Sequence, residues 1–158
     1  MSLETTRFGA IDFTPEQVIT LTQPIIGFPE YRRFIVLPGP PDSGLYWLQS
    51  TESGSLAFLM MNPRLVVPEY KITLSAHELT ELAAHSSDEL EVYTLLVVPA
   101  DKTQVRTNLR APVLLNRKLR LGKQTILEKS DYPIQYFLAQ GAQDAHAQEE
   151  AGHARTHA

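Results

Sequence analysis

A chain of 158 residues, 43% hydrophobic and 20% charged, is long enough to bury one core without staples, and its net charge of −4 argues against a general polyanion binder. It contains no cysteine, which excludes disulfides and every thiolate-based metal or redox site. Neither a basic n-region nor an apolar h-region opens the chain, and no apolar run approaches the ~20 residues of a membrane helix, so a soluble cytoplasmic protein with no membrane partner is expected.

Strand signals dominate in chain order. Thr6-Arg7-Phe8 and Ile11-Asp12-Phe13 flank Gly9 and read as a half-buried ribbon. Val18–Leu21 is a short β-branched run. Pro24–Pro29 is a connector in which Gly27 supplies backbone freedom and Phe28 is expected to turn inward. Pro29–Arg33 reads as one helical turn, with proline at an early position. Phe34–Leu37 is the next strand, and the proline- and glycine-rich Pro38–Gly44 is a loop. Leu45–Ser50 and Leu56–Met61 form a hairpin across Thr51–Ser55. Alternation puts Tyr46 and Leu48 on one side and Trp47 and Gln49 on the other, with Trp47 expected in the core.

Pro63 and Pro68 bracket Arg64–Val67, which reads as an edge or an irregular segment. Ser75-Ala76-His77-Glu78 is a capping box, and Leu79, Leu82 and Ala83 continue it at helical spacing until Ser86-Ser87-Asp88. Glu91–Val98, Val105–Leu109, Val113–Leu115 and Thr125–Leu127 complete the strands. Within them, Asn108–Asn116 reads as a strand, a proline-marked corner and a buried strand, and Gly122-Lys123-Gln124 as a glycine turn into another strand. The fold class is mainly β: an antiparallel β-barrel-like single domain, residues 1–138, with one short helix. Residues 139–158 contain no aromatic residue, Leu, Ile, Val or Met and are expected to be a disordered or weakly helical tail.

No catalytic constellation emerges. His77-Glu78-Leu79-Thr80-Glu81 misses the zinc-protease motif, because Glu81 stands where the second histidine must share the helix face, and His85 is too far along. His146, His153 and His157 lie in the tail, where solvation is the simpler reading. There is no nucleophile elbow, Walker sequence or dinucleotide fingerprint. Hence no metal and no cofactor are expected. From Lys102 to Lys129 there are eight basic residues and one acid, Glu128, which defines the alternative reading of a nucleic-acid-binding small barrel. That segment has no aromatic residue to stack a base, so direct nucleic-acid binding is not expected. The remaining candidate is the proline-bounded stretch from Asn62 to Tyr70, either a barrel corner or a recognition edge.

Taken together, these pieces resemble the family of the flagellar assembly factor FliW. The matching elements are Phe8-Gly9 with Ile11, Ile19 through Ile26-Gly27-Phe28, Phe34, Tyr46–Ser50, Leu56-Ala57-Phe58, Asn62-Pro63 and Pro68-Glu69-Tyr70. Asn108–Pro112, Asn116, Gly122-Lys123-Gln124 and Tyr132-Pro133-Ile134 complete the series, in family order. The resemblance implies a non-enzymatic, protein-binding regulator. It implies two partners, the RNA-binding translational repressor CsrA and unassembled flagellin. The partner surface expected from it comprises Asn62, Pro63, Val67, Pro68, Glu69, Tyr70 and Asn108. Arg64, Val66 and Val67 stand where the family commonly carries aromatic residues, and Pro24 where it commonly carries glycine.

Overall fold

The structure is a computed structural model that describes residues 1–139. The expected tail, with its three histidines, lies outside the described residues apart from Ala139. Strands β1 (Ser2–Thr5) and β2 (Gly9–Asp12) form a separate hairpin. The main sheet contains β3 (Ile19–Gln23), β4 (Arg33–Pro38), β5 (Leu45–Ser50), β6 (Ala57–Met61) and β7 (Glu91–Val97). It continues through β8 (Arg106–Thr107), β9 (Val113–Asn116), β10 (Leu121–Gln124) and β11 (Tyr136–Phe137). The order is β11-β8-β7-β6-β5-β4-β3-β10-β9, and an additional β7–β9 pairing closes the ring into a barrel. Closure removes the open edges that an unrolled sheet would expose. Every pair in the barrel is antiparallel except β3 with β10, which is parallel.

Strand alternation sorts the apolar residues into two cores. Inside the barrel lie Ile19, Leu21, Phe34, Leu48, Met60, Tyr93, Val113 and Leu115. The opposite face of β7 and β9 presents Val92 and Leu114 to a second cluster with Tyr70, Leu82, Ala84, Leu90, Leu109 and Leu127. β9 is therefore buried on both faces, which is why it reads as an unbroken apolar run. Helix α1 (Ala76–Glu81) begins as its sequence dictates: Ser75 Oγ accepts from the Glu78 N–H at 3.1 Å. Its C-terminal end is held by Asn116, whose Nδ2 donates to the Leu82 carbonyl at 2.8 Å.

β7 organises the second core. Glu91–Tyr93 pair with β9, while Leu96 and Val97 pair with β8. Between these ladders, residues 108–112 bulge away from β7. The proline-marked corner read from sequence is this bulge.

Six local expectations are corrected. The first ribbon is displaced toward the N-terminus, because the Thr5 hydroxyl closes the turn by donating to the Gly9 carbonyl and accepting from the Phe8 N–H. Pro29–Arg33 forms no helical turn; the Arg32 and Arg33 amides donate to the Glu52 carboxylate at 2.7 and 2.8 Å, and Arg33 starts β4. Phe28 is 36% exposed, set edge-on to Phe58 with ring centroids 5.0 Å apart. Trp47 lies on the outer face of the barrel, where Phe8 packs edge-on at 5.6 Å and the Arg7 guanidinium covers its ring at 4.3 Å. Finally, Gly122 is inside a strand rather than in a turn, and Thr125–Leu127 form no strand. Instead, the Thr125 and Leu127 amides donate to the carbonyls of Pro112 and Arg110 in the bulge.

The role of Gly122 is close approach. A β-carbon there would lie 2.7 Å from Leu115 Cδ2, 3.1 Å from the Leu114 carbonyl oxygen and 3.1 Å from Leu21 Cδ2. Those neighbours belong to β9 and β3, so the buried Leu115 and Leu21 side chains must shift and the Leu114 carbonyl must give slightly to make room. Gly122→Ala is expected to destabilise the protein by about 1–3 kcal/mol, as overpacking does. A lower urea midpoint with unchanged slope checks this.

Candidate protein-binding surface

After β6 the chain leaves the barrel at Asn62. The Asn62 side chain accepts from the Arg64 N–H at 3.0 Å and starts a 3-10 turn, Pro63–Leu65. Proline at its first position suits that turn, since its missing N–H would be unpaired there. The turn separates the expected site residues into two kinds. Pro63 is buried, and Tyr70 has no exposed surface. Pro68 and Glu69 are exposed, Val67 is half-buried against the second core, and Asn62 is half-buried. Between them stand Arg64 and Leu65, both exposed; Leu65 is 55% accessible and packs over Gly44.

Tyr70 anchors this segment to the barrel. Its hydroxyl donates to the Leu109 carbonyl at 2.6 Å, and its ring lies 4.5 Å from that of Tyr132. Burial, with Tyr132 beside it, pushes the Tyr70 phenol far above its ordinary range, so it stays a neutral donor. Arg64 Nε donates to the Tyr70 carbonyl at 3.1 Å, and the Tyr132 hydroxyl accepts from the Lys71 N–H at 2.9 Å. Asn108 is half-buried, and its Oδ1 accepts from the Arg110 N–H at 2.9 Å. Around it the bulge gathers other loops: Leu109 N–H donates to the Pro133 carbonyl and Arg110 Nε to the Tyr132 carbonyl. Gln124 Nε2 donates to the Ala111 carbonyl at 3.1 Å. The Asn-Leu-Arg-Ala-Pro run is thus a structural junction that supports the 62–69 surface from below.

Sequence reading missed a second polar feature. Lys123 on β10 is inserted between two carboxylates of α1, with Nζ 3.2 Å from Glu81 Oε2 and 3.6 Å from Glu78 Oε2. Thr22 Oγ1 donates to Glu81 Oε1 at 2.8 Å, and Thr125 Oγ1 donates to Glu78. Burial acts to raise both carboxyl pKa values. For Glu78 the hydrogen bonds from Thr125 and the Ser75 amide, with Lys123, outweigh it; for Glu81 those from Thr22 and Lys123 do. Both therefore lie below the ordinary carboxylate value. The signal for this was the pair Glu78 and Glu81 on one helix face, which the capping box alone had absorbed.

These bonds also account for the near-miss zinc motif, since Glu81 is committed to Lys123 and Thr22. No group of three or more metal-ligating side chains occurs among the described residues. Three of the basic residues of 102–129 lie apart from one another. Lys123 is buried in the triad, Arg117 faces Glu91 at 3.6 Å, and Arg106 pairs across from Val97 at the other end of β7. Among the described residues no helix is long and apolar enough to cross a membrane.

The class defined by these features is a small closed β-barrel with helix α1 bolted to its outside by an ion triad and a loop surface carried on a buried junction. Known proteins match this chain over most of its length. The family described as "FliW protein" matches residues 2–138. A flagellar assembly factor FliW from Bdellovibrio bacteriovorus is 34% identical over 134 residues, covering 85% of this chain and 77% of that protein. One from Desulfitobacterium hafniense strain Y51 is 36% identical over 138 residues, covering 87% and 91%. A crystal structure of the flagellar assembly factor FliW superposes with a TM-score of 0.80 at 28% identity, covering 87% of this chain and 96% of that one. The chain belongs to the FliW family.

Proposed function

We propose that this chain is a cytoplasmic, non-enzymatic regulator of flagellar assembly that binds a CsrA-type RNA-binding repressor and unassembled flagellin. Membership of the FliW family carries the reading. The circuit is a homeostat: flagellin occupies the protein until it is exported, and the freed protein then relieves translational repression. The net charge of −4 favours association with a basic RNA-binding dimer.

The proposed partner surface is the 62–69 turn with Asn108. Leu65, Pro68 and Glu69 supply the accessible contacts, with Val67 and Asn62 at the margin. Pro63, Tyr70 and Asn108 hold the surface in shape. An exposed leucine beside a rigid proline turn presents apolar area at little conformational cost. The test is calorimetric titration with the CsrA-type dimer and with flagellin. Saturable binding of each is expected, and the double variant Leu65→Ala, Glu69→Lys is expected to weaken at least one by about tenfold or more, the loss of one anchor and one charge. Wild-type affinity of that variant for both partners would remove this surface from the account.

A further inference from the structure

β3 and β10 run parallel, so both chains leave the barrel at the same end. That end is opposite the one where β6 gives way to Asn62. Ile19 on β3 pairs with Phe34, Phe34 pairs with Ser50, and Ser50 is at the far end of β5 from Leu45, the partner of Met61. Beyond Gln23 the two chains separate, since Pro24 has no N–H to continue the ladder. Between them lies a groove of about 740 Å³, within the range of about 300–1,000 Å³ common to binding sites. Gln124 ties its walls together: Oε1 accepts from the Ile26 N–H at 2.9 Å, while Nε2 donates to the Ala111 carbonyl. The groove is thus shaped before anything enters it, which lowers the cost of binding.

Ile26, Gly27 and Pro29 line one wall, and Ile126 and Glu128 the other. Single exposed apolar residues are ordinary, but here two isoleucines, 59% and 53% accessible, open onto one groove. Gly27 has φ 93°, and nothing lies within 4 Å of the place a β-carbon would take, so a second backbone can approach there. The Thr125 and Leu127 amides are spent on the bulge, whereas the Ile126 N–H between them has no partner among the described residues. It is an open donor for the backbone of a segment laid along the groove. Three charged side chains belong to the lining, Glu78, Lys123 and Glu128. Lys123 is already divided between Glu78 and Glu81, and the Glu128 carboxylate has no hydrogen bond or ion pair among the described residues. Just outside the lining, Lys129 and Glu30 offset one another.

We propose that this groove is a second protein-docking site, which takes a partner segment in which apolar side chains are followed by lysine or arginine. The apolar side chains cover Ile26 and Ile126, and the cation meets Glu128. Charge complementarity selects this occupant: the lining has two acids against one lysine, and that lysine is committed to the carboxylates of α1. An acidic segment would place like charge beside Glu128 and find no free cation in the lining. The groove shares no residue with the 62–69 surface or Asn108, so the two proposals stand or fall independently.

The test uses the isotopically labelled full chain and a capped pentapeptide of glycine, leucine, isoleucine, lysine and arginine, in that order, followed by amide chemical shifts. Saturable shifts at Ile26, Gly27, Ile126 and Glu128 are expected, with affinity falling as salt is raised. The double variant Ile126→Ala, Glu128→Gln should weaken binding by about tenfold or more, since it removes one apolar contact and one charge. Both positions are exposed, so the fold is retained, and the same spectra verify this. Two control peptides should bind at least tenfold more weakly, one with glutamine in place of both cations and one with glycine in place of leucine and isoleucine. Absence of saturable shifts at these residues would overturn the proposal, as would equal binding by the double variant or by either control. Shifts at the same residues that grow with protein concentration and without peptide would assign the groove to a second copy of the chain, and would overturn it too.

Discussion

Tyr70→Ala lowers the unfolding free energy by about 4 kcal/mol, within the range for deleting a buried aromatic side chain. The side chain has no exposed surface, stacks on Tyr132 and donates to the Leu109 carbonyl. Its loss opens a cavity in the second core and leaves the junction at 108–112 without its tie to the 62–69 surface. Tyr70→Phe keeps the packing and removes only the hydroxyl, so about 1–2 kcal/mol is expected from the unpaired Leu109 carbonyl. Since small domains are stable by about 5–15 kcal/mol, the alanine variant approaches the unfolding threshold while the phenylalanine variant does not. Urea denaturation of the two variants separates these effects. Equal small losses in both would mean that Tyr70 does not carry the junction.

Lys123→Ala costs about 3 kcal/mol at neutral pH, because removing one partner of a largely buried ion group leaves uncompensated charge. The Lys123 side chain is 10% exposed, with Glu81 at 15% and Glu78 at 23%. The pH dependence follows from the direction of the carboxyl shifts. Both glutamates are held below their unfolded value, so the triad stabilises the native state above that value. That contribution fades as pH falls through the depressed folded values. Without Lys123 the two carboxylates repel each other and their pKa values rise. The deficit of the variant is therefore largest at neutral pH and shrinks on acidification below about pH 4.5. Denaturation midpoints at pH 7 and pH 3.5 check this; an equal deficit at both would show that lost packing, not charge, is responsible.

Much of this fold was legible because local chemistry and tertiary structure agree. The Ser75–Glu78 capping box produced its helix, and the unbroken Val113–Leu115 run produced a strand buried on both faces. Where the reading slipped, a distant partner decided. Gly122 looked like a turn residue, but it occupies a strand because β9 and β3 close over it. Trp47 looked like a core residue, but the β1–β2 hairpin brings Phe8 and Arg7 to cover it on the outside. Glu81 and Lys123 are 42 residues apart, and no spacing rule connects them. For the candidate surface, sequence located the Asn62–Tyr70 segment. It could not tell Tyr70, which is turned inward to Leu109, from Leu65 and Glu69, which face solvent.

The most direct test of the central claim is amide hydrogen exchange of the full chain, free and saturated with the CsrA-type dimer or with flagellin. The account predicts that at least one partner slows exchange across Arg64–Val67 and Glu69, while amides inside the barrel change little. Binding of both partners with no added protection in that segment would contradict it and place the interface elsewhere on the barrel.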